Sequence, residues 1–426
     1  MYSKKVTLVV AFALFSLFFG AGNLILPPQL GFKAGSAWWL VALGFCISAV
    51  IIPILGILAH AKLQGGMFDF AKKVSPTFSL IYCFIVYAIS ISLPSPRTAS
   101  VTHEMGVQPL SDSSPLLTSI IYFILVFLFV VNRSKILNVI GKILTPAIIL
   151  ILLAIVGTAL FNFDFSFAKG IFPSPFSHGI LEGYQTFDAI GAVVVGGVII
   201  ISINHKKEEG SYEAKKALIA KGGLLAGLGL FLIYGGLIIA GALMHKEFDA
   251  DISRTGLLSG ISLKTLGSTA NLFLSILVSL ACFTTAVGIV TGTADFVKGQ
   301  FKDSRTAYIM TAVIGCILGV LMGQFDVHYI IAVAVPALMF IYPITIILIL
   351  LNVVPDNYAS KQVFRAVVVA TIIFSIPDFL GSLGLGDIVS GISKWIPLSN
   401  YQMGWILPAF VIFVIVNCVE RFKKDN

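Results

Sequence analysis

The stretch Phe18-Phe19-Gly20-Ala21-Gly22-Asn23 constrains this chain most, because two glycines and an asparagine interrupt an apolar run, Val6 to Leu26, that is otherwise suited to crossing a bilayer. Inside lipid every backbone N–H and C=O needs a partner, so unwound backbone persists at that depth only where protein, water or a ligand satisfies it. A helix broken there is a candidate binding site, and it implies a solute path through the membrane.

The remaining sequence supports a membrane setting. With 58% hydrophobic and 11% charged residues, the chain lies outside the range of soluble globular proteins. Apolar runs extend over Val6 to Leu26, Ala37 to Ala59, Phe78 to Leu93, Leu116 to Val131, Ile143 to Phe161, Tyr184 to Ile203, Ala217 to Met244, Ala270 to Val297, Tyr308 to Met322, Ile330 to Leu351, Val363 to Phe379 and Met403 to Val419. They predict an all-α polytopic membrane protein of about twelve transmembrane helices. The longest polar stretches, Arg97 to Pro115, Asn162 to Gly183, His245 to Thr269 and Gly381 to Gln402, are too short for a soluble domain, so function must lie within the membrane region.

The net charge of +8 has a topological cause. With the N-terminus placed in the cytoplasm, 21 of the 28 Lys and Arg residues fall on the inner side. This asymmetry places both termini in the cytoplasm and makes a nucleic-acid partner unnecessary. Met1 to Asn23 is too apolar over too great a length for a cleaved signal sequence. Cys46, Cys83, Cys282, Cys316 and Cys418 all sit in apolar runs without ligand spacing, and read as small apolar residues.

Five segments are an odd number, so a second copy of them enters the membrane from the opposite side. That is an inverted repeat, whose site forms where discontinuous helices meet. The division expected is a first repeat over 1–161, a second, inverted repeat over 162–352, and two extra helices with a cytoplasmic C-terminus over 353–426. Segment 6 should be broken as segment 1 is, and Gly183-Tyr184-Gln185-Thr186-Phe187-Asp188-Ala189-Ile190-Gly191 places an acid and glycines in its run. Each glycine could equally serve close packing alone.

At Gly20 to Asn23 the second half-helix would offer N–H groups to an anion, and the first would offer carbonyls to a cation. A zwitterionic amino acid with a monovalent cation uses both. Pro27-Pro28 is expected to end the segment. Asp188, an intramembrane acid, is a functional candidate that could also cap a half-helix or carry a proton. In segment 8, Ala281, Thr284 and Thr285 offer a carbonyl and two hydroxyls, a set suited to a hard cation unless both threonines bond back to their own helix. Arg97 and Glu104, seven apart, lie either in a loop or on one face of a long segment 3, where they could neutralise each other. No Walker sequence or metalloprotease motif is present, which argues against an ATP-driven pump or a metal-dependent enzyme. No converging catalytic set or pore-lining ring supports an enzyme or a channel.

Phe15 to Ile25 with Pro27, Pro28 and Gly31, the Pro96-Arg97-Thr98-Ala99 run with Glu104, Gly183-Tyr184 with Thr186 and Asp188-Ala189, and the Thr284-Thr285 pair resemble the bacterial branched-chain amino acid cation symporters, the BrnQ or LIVCS family. The resemblance runs through nearly the whole chain. It implies the LeuT-type fold of the amino acid, polyamine and organocation superfamily, with five plus five inverted helices, discontinuous helices 1 and 6, and two additional helices. It further implies sodium ligands at Ser16, Phe19, Ala281, Thr284 and Thr285, and substrate contacts at Ala21, Gly22, Asn23, Thr186, Phe187 and Asp188. Phe187 and Ile190-Gly191 stand where many relatives carry Met and Leu-Ala, which leaves the side-chain pocket less defined. The implied activity is import of leucine, isoleucine and valine across the cell membrane by sodium symport, with proton coupling or another small neutral substrate as the alternative. No other cofactor or obligatory protein partner is expected.

Overall fold

The computed structural model describes residues 4–20, 23–132, 136–194, 196 and 212–425, and its regular elements are all helices. Segment 1 is α1 (Lys4–Phe18) and, beyond a break, α2 (Leu26–Ala34). Pro27 and Pro28 therefore open a half-helix instead of ending the segment. Proline is well placed at a first turn, where its missing N–H would have had no intrahelical acceptor.

Segment 2 is α3 (Trp38–Cys46), a π-turn at Ile47–Ile51 and α4 (Ile52–Leu63), followed by the short α5 (Met67–Ala71). Segment 3 is α6 (Pro76–Ser92) and α7 (Pro94–Thr102), which continues into a π-turn, His103–Val107. Arg97 and Glu104 thus lie on helical backbone. After α8 (Pro115–Asn132) and α9 (Ile136–Asn162) comes α10 (Pro175–Tyr184), within a stretch expected to be loop. Its Pro-Phe-Ser-His-Gly start is too polar and glycine-rich to register as a membrane run. The described part of α11 is 188–194, and α12 spans Tyr212–Leu243.

The next helix, α13 (Arg254–Gln300), bends at Gly267, whose φ of 83° lies in the left-handed region that favours glycine. Its first part occupies another expected loop. The chain continues through α14 (Arg305–Gly323), α15 (Val327–Val353), α16 (Lys361–Ser382), the short α17 (Gly386–Ser393) and α18 (Ile406–Asp425). Among the described residues nine helical stretches are long and apolar enough to cross a membrane, α2 to α4 counting as one. Segments 1 and 6 are interrupted, and α18 ends in a charged tail.

The packing carries the inverted repeat. Segment 1 (α1, α2) packs on segment 7 (α12), and segment 6 (α10) packs on segment 2 (α3). Exchanging each segment for its counterpart five places away turns one pairing into the other. The same exchange relates the segment 2 to segment 10 contact (α4, α15) to that between segments 7 and 5 (α12, α9). Both principal pairings use backbone-to-backbone approach. A Cβ on Gly31 would stand 1.8 Å from the Ile238 carbonyl oxygen, and one on Gly241 2.0 Å from that of Pro28. Between α3 and α10, a Cβ on Gly44 would meet the Phe176 oxygen at 2.1 Å, and one on Gly179 the Val41 oxygen at 2.3 Å. Small residues permit such approach between membrane helices, where apolar area alone gives little driving force.

Polar contacts cluster at two places. At one, Asp356 lies 3.0 Å from Lys73 and 3.3 Å from Lys62, and the Ser360 hydroxyl donates to Glu420. Hydrogen bonding from Lys73, then from Lys62, holds the Asp356 carboxyl below its ordinary range. Elsewhere, Glu182 of α10 pairs with Arg254 of α13, and Gln29 Nε2 donates to the Ile252 carbonyl at 3.2 Å.

Candidate functional site

The two interruptions meet through one hydrogen bond. Asn23 Nδ2 donates to Asp188 Oδ1 at 2.9 Å and also to the Phe18 carbonyl at 3.1 Å, so one amide ties the end of α1 to the start of α11. Asn23 is 3% exposed and Asp188 5%. Ala21 and Gly22 lie outside the described residues.

Segment 6 breaks at Gln185 to Phe187. The Thr186 hydroxyl donates to the Gly183 carbonyl at 2.8 Å and accepts the Asp188 N–H at 3.2 Å, closing one half-helix and opening the next. Of the roles open to Asp188, the capping one falls to Thr186, and the Asp188 carboxylate is directed across to Asn23. Phe187 has φ 60°, an uncommon value for a bulky side chain. Arg97 holds this turn from α7. Its Nη1 donates to the Gln185 carbonyl at 2.7 Å, and its guanidinium carbon lies 5.5 Å from the centre of the Phe187 ring.

Arg97 does not pair with Glu104, contrary to the spacing argument, because the π-turn at His103–Val107 shifts Glu104 off the regular helical phase. Glu104 instead accepts from the Thr255 hydroxyl and from the Val327 N–H, the latter at 2.8 Å. It thereby joins segment 3 to the starts of α13 and α15. A cavity of about 790 Å³ lies here, lined in part by Gln29, Glu104, Arg254, Asp326 and His328.

Around the breaks, several buried polar atoms make no close hydrogen bond: Asp188 Oδ2, Gln185 Oε1 and the hydroxyls of Tyr234, which faces Asp188 and Asn23, and of Tyr342, which faces Thr186 and Ala189. Tyr234 of α12 stacks on Phe19 and meets Phe45 edge-on; Tyr342 of α15 stacks on Tyr184 with ring centres 4.4 Å apart. Buried polar groups are rarely left without partners, so their concentration at one place marks a site built to receive something polar. Sequence reading missed both tyrosines and Gln185. Their one sequence signal was a polar atom within an apolar run.

The residues named as cation ligands fall into two groups. The Ser16 hydroxyl lies 2.9 Å from that of Thr145 on α9. Thr284 and Thr285 Oγ1 both donate to the Ala281 carbonyl, at 3.0 and 2.9 Å. Each threonine oxygen still has acceptor capacity after that bond. Phe19 and Ala281 are buried, whereas Ser16 is exposed.

Comparison with known proteins places this geometry. The family described as "Branched-chain amino acid transport protein" matches residues 3–423. The "Branched-chain amino acid transport system 2 carrier protein" of Pseudomonas aeruginosa is 31% identical, with 97% of this chain and 96% of that protein covered. The "Branched-chain amino acid permease BraB" of Bacillus subtilis is 33% identical, with 96% and 94% covered. Among solved structures, "Inward facing conformation of Mhp1" superposes with a TM-score of 0.62 at 12% identity, over 98% of this chain and 91% of that one. "Crystal structure of MhsT in complex with L-phenylalanine" gives 0.55 at 18% identity, over 97% and 98%. The fold is thus that of LeuT-like transporters, and the chain belongs to the branched-chain amino acid transport protein family.

Proposed function

We propose that this transporter imports leucine, isoleucine and valine across the cell membrane in symport with sodium, by alternating access, with both termini in the cytoplasm. The observation that carries the reading is the pair of broken helices joined by Asn23 and Asp188, with buried polar groups of Gln185, Tyr234 and Tyr342 gathered around them. The substrate carboxylate would face the start of α2, and the second Asp188 oxygen would receive its ammonium group. Thr186 and Phe187 would complete the contact, with Ala21 and Gly22 supplying backbone. Relatives named as branched-chain carriers support the substrate class.

For sodium, the proposed ligands are the carbonyls of Ser16, Phe19 and Ala281 and the hydroxyls of Thr284 and Thr285. A carbonyl and hydroxyl set suits a hard monovalent ion. Ion and substrate would each satisfy backbone freed by a break, so their joint occupancy biases the balance between states facing opposite sides. The same fold driven by protons is the alternative.

Labelled leucine uptake into proteoliposomes decides the matter: an imposed sodium gradient should drive accumulation and a proton gradient alone should not. Thr284→Ala or Thr285→Ala should lower apparent sodium affinity roughly tenfold to a hundredfold, as expected for losing a contact to a charged group, while Thr→Ser stays near the parent. Leucine affinity should fall at limiting sodium and recover at saturation, because linkage is reciprocal. Unchanged sodium dependence in both Ala variants would leave the hydroxyls as helix-internal donors only.

A further inference from the structure

His60, near the end of α4, has no exposed surface, and both of its ring nitrogens face carbonyl oxygens. Nε2 lies 2.8 Å from the Val193 oxygen of α11, and Nδ1 lies 3.1 Å from the Gly65 oxygen just beyond α4. A neutral imidazole has one N–H and one lone pair, so it can donate to only one of these oxygens and must turn a lone pair toward the other. An imidazolium donates to both. We propose that His60 is a proton-binding site, and that the bound proton completes a tie between segment 2 and the second half of broken segment 6.

The surroundings are fitted to the ring. A Cβ on Gly196 of segment 6 would stand 2.5 Å from His60 Cδ2, so glycine there makes the space the imidazole occupies. On the other side the Phe70 ring lies 4.6 Å away, centre to centre.

Among the described residues packed around His60, Asp69 of α5 accepts the Gly66 N–H at 3.0 Å and pairs with Lys72 at 3.9 Å. Lys62, on the same helix as His60, pairs with Asp356 and donates to the Val354 carbonyl. From α15 the facing polar group is Asn352, uncharged, whose Nδ2 donates to the Phe70 carbonyl at 2.8 Å; from α12 it is Tyr212, whose hydroxyl donates to the Lys62 carbonyl at 3.1 Å. From α11 it is Val193 itself through its carbonyl.

The sign follows directly. The tie is complete while His60 is protonated and loses one of its two bonds as pH rises through the imidazole titration. Val193 is five residues beyond Asp188, so the loss is felt on the half-helix that begins at the proposed substrate contact. The proposal does not depend on which ion drives transport.

Two measurements test it. Nitrogen-15 NMR of the parent in lipid nanodiscs, with ring-labelled histidine, should show both His60 nitrogens protonated at about pH 5 and one of them losing its proton as pH rises through the histidine range. The signal is assigned by its loss in His60→Gln or, should that variant not fold, by its shift in Gly196→Ala. A neutral, single-tautomer His60 at about pH 5 overturns the proposal. In proteoliposomes at a fixed sodium gradient and equal pH on both sides, initial leucine uptake by the parent should change about tenfold as pH passes through the histidine range, since a bond to a charged group is being made or lost. His60→Gln should flatten that profile. A variant profile that superimposes on the parent's also overturns it.

Discussion

The two interruptions do the same job by different means. In segment 1 the sequence between α1 and α2 carries small residues, and among the described residues the side chain of Asn23 ties the end of α1 to the partner break. In segment 6 the turning residue is Phe187, a large side chain in left-handed backbone, held by Arg97 from α7 and by the hydroxyl of Thr186. One break arises by omitting side chains. The other is maintained by neighbours that over-determine an unfavourable geometry, a pattern typical of functional sites.

The largest expected effect follows from that dependence. Arg97→Ala removes a buried, charge-assisted bond to the Gln185 carbonyl, and leucine uptake should fall roughly tenfold to a hundredfold or more. Arg97→Lys should fall between parent and Ala, because an ammonium can reach the carbonyl but lacks the planar face set against Phe187. Uptake in Arg97→Ala equal to the parent's would mean that the segment 6 break supports itself.

The link between the breaks comes next. A double-mutant cycle on leucine binding with Asn23→Ala and Asp188→Ala should give a coupling of about 1.5–3 kcal/mol, the range for a hydrogen bond to a charged partner. Asp188→Asn should retain more binding than Asp188→Ala, because it keeps an acceptor for Asn23. Additive single effects would show the two segments to be independent.

The third prediction reverses the usual order of two small residues. Within helices Ala is preferred to Gly, but at positive φ Gly avoids a strain of about 1–2 kcal/mol that Ala retains. Both Phe187 variants lose the same ring, so Phe187→Gly should melt above Phe187→Ala in detergent. The opposite order would place the strain elsewhere. Smallest of all should be Gly20→Ala. A Cβ there meets only Asn23 Nδ2, at 3.9 Å, and the residue is not in left-handed backbone, so the change in thermal stability should stay within about 0.5 kcal/mol.

How much the sequence disclosed differs between these regions for the same physical reason. The segment 1 break is legible because glycines mark it locally, and the apolar runs are legible because lipid demands length. The segment 6 break is only half legible. Gly183 and Asp188 point to it, but Arg97 lies 88 residues from the carbonyl it holds, and no local pattern carries that contact. The helix Pro175–Tyr184 was hidden by its polar start, and Pro27-Pro28 by an ambiguity, since proline both ends helices and begins them. Asp188 and Thr186 exchanged roles because composition places a capping side chain near a turn without saying which of two neighbours turns inward.

The glycine contacts of α2 with α12 and of α3 with α10 have a mechanical meaning. Where backbone rests on backbone, no side chain stands between the helices whose rotamers could change to absorb a gradual displacement. Such a seam is either closed or parted. A molecule assembled on two seams of this kind, exchanged by its own internal symmetry, is expected to move in steps between a few well-defined shapes, the behaviour that the proposed alternating access would require.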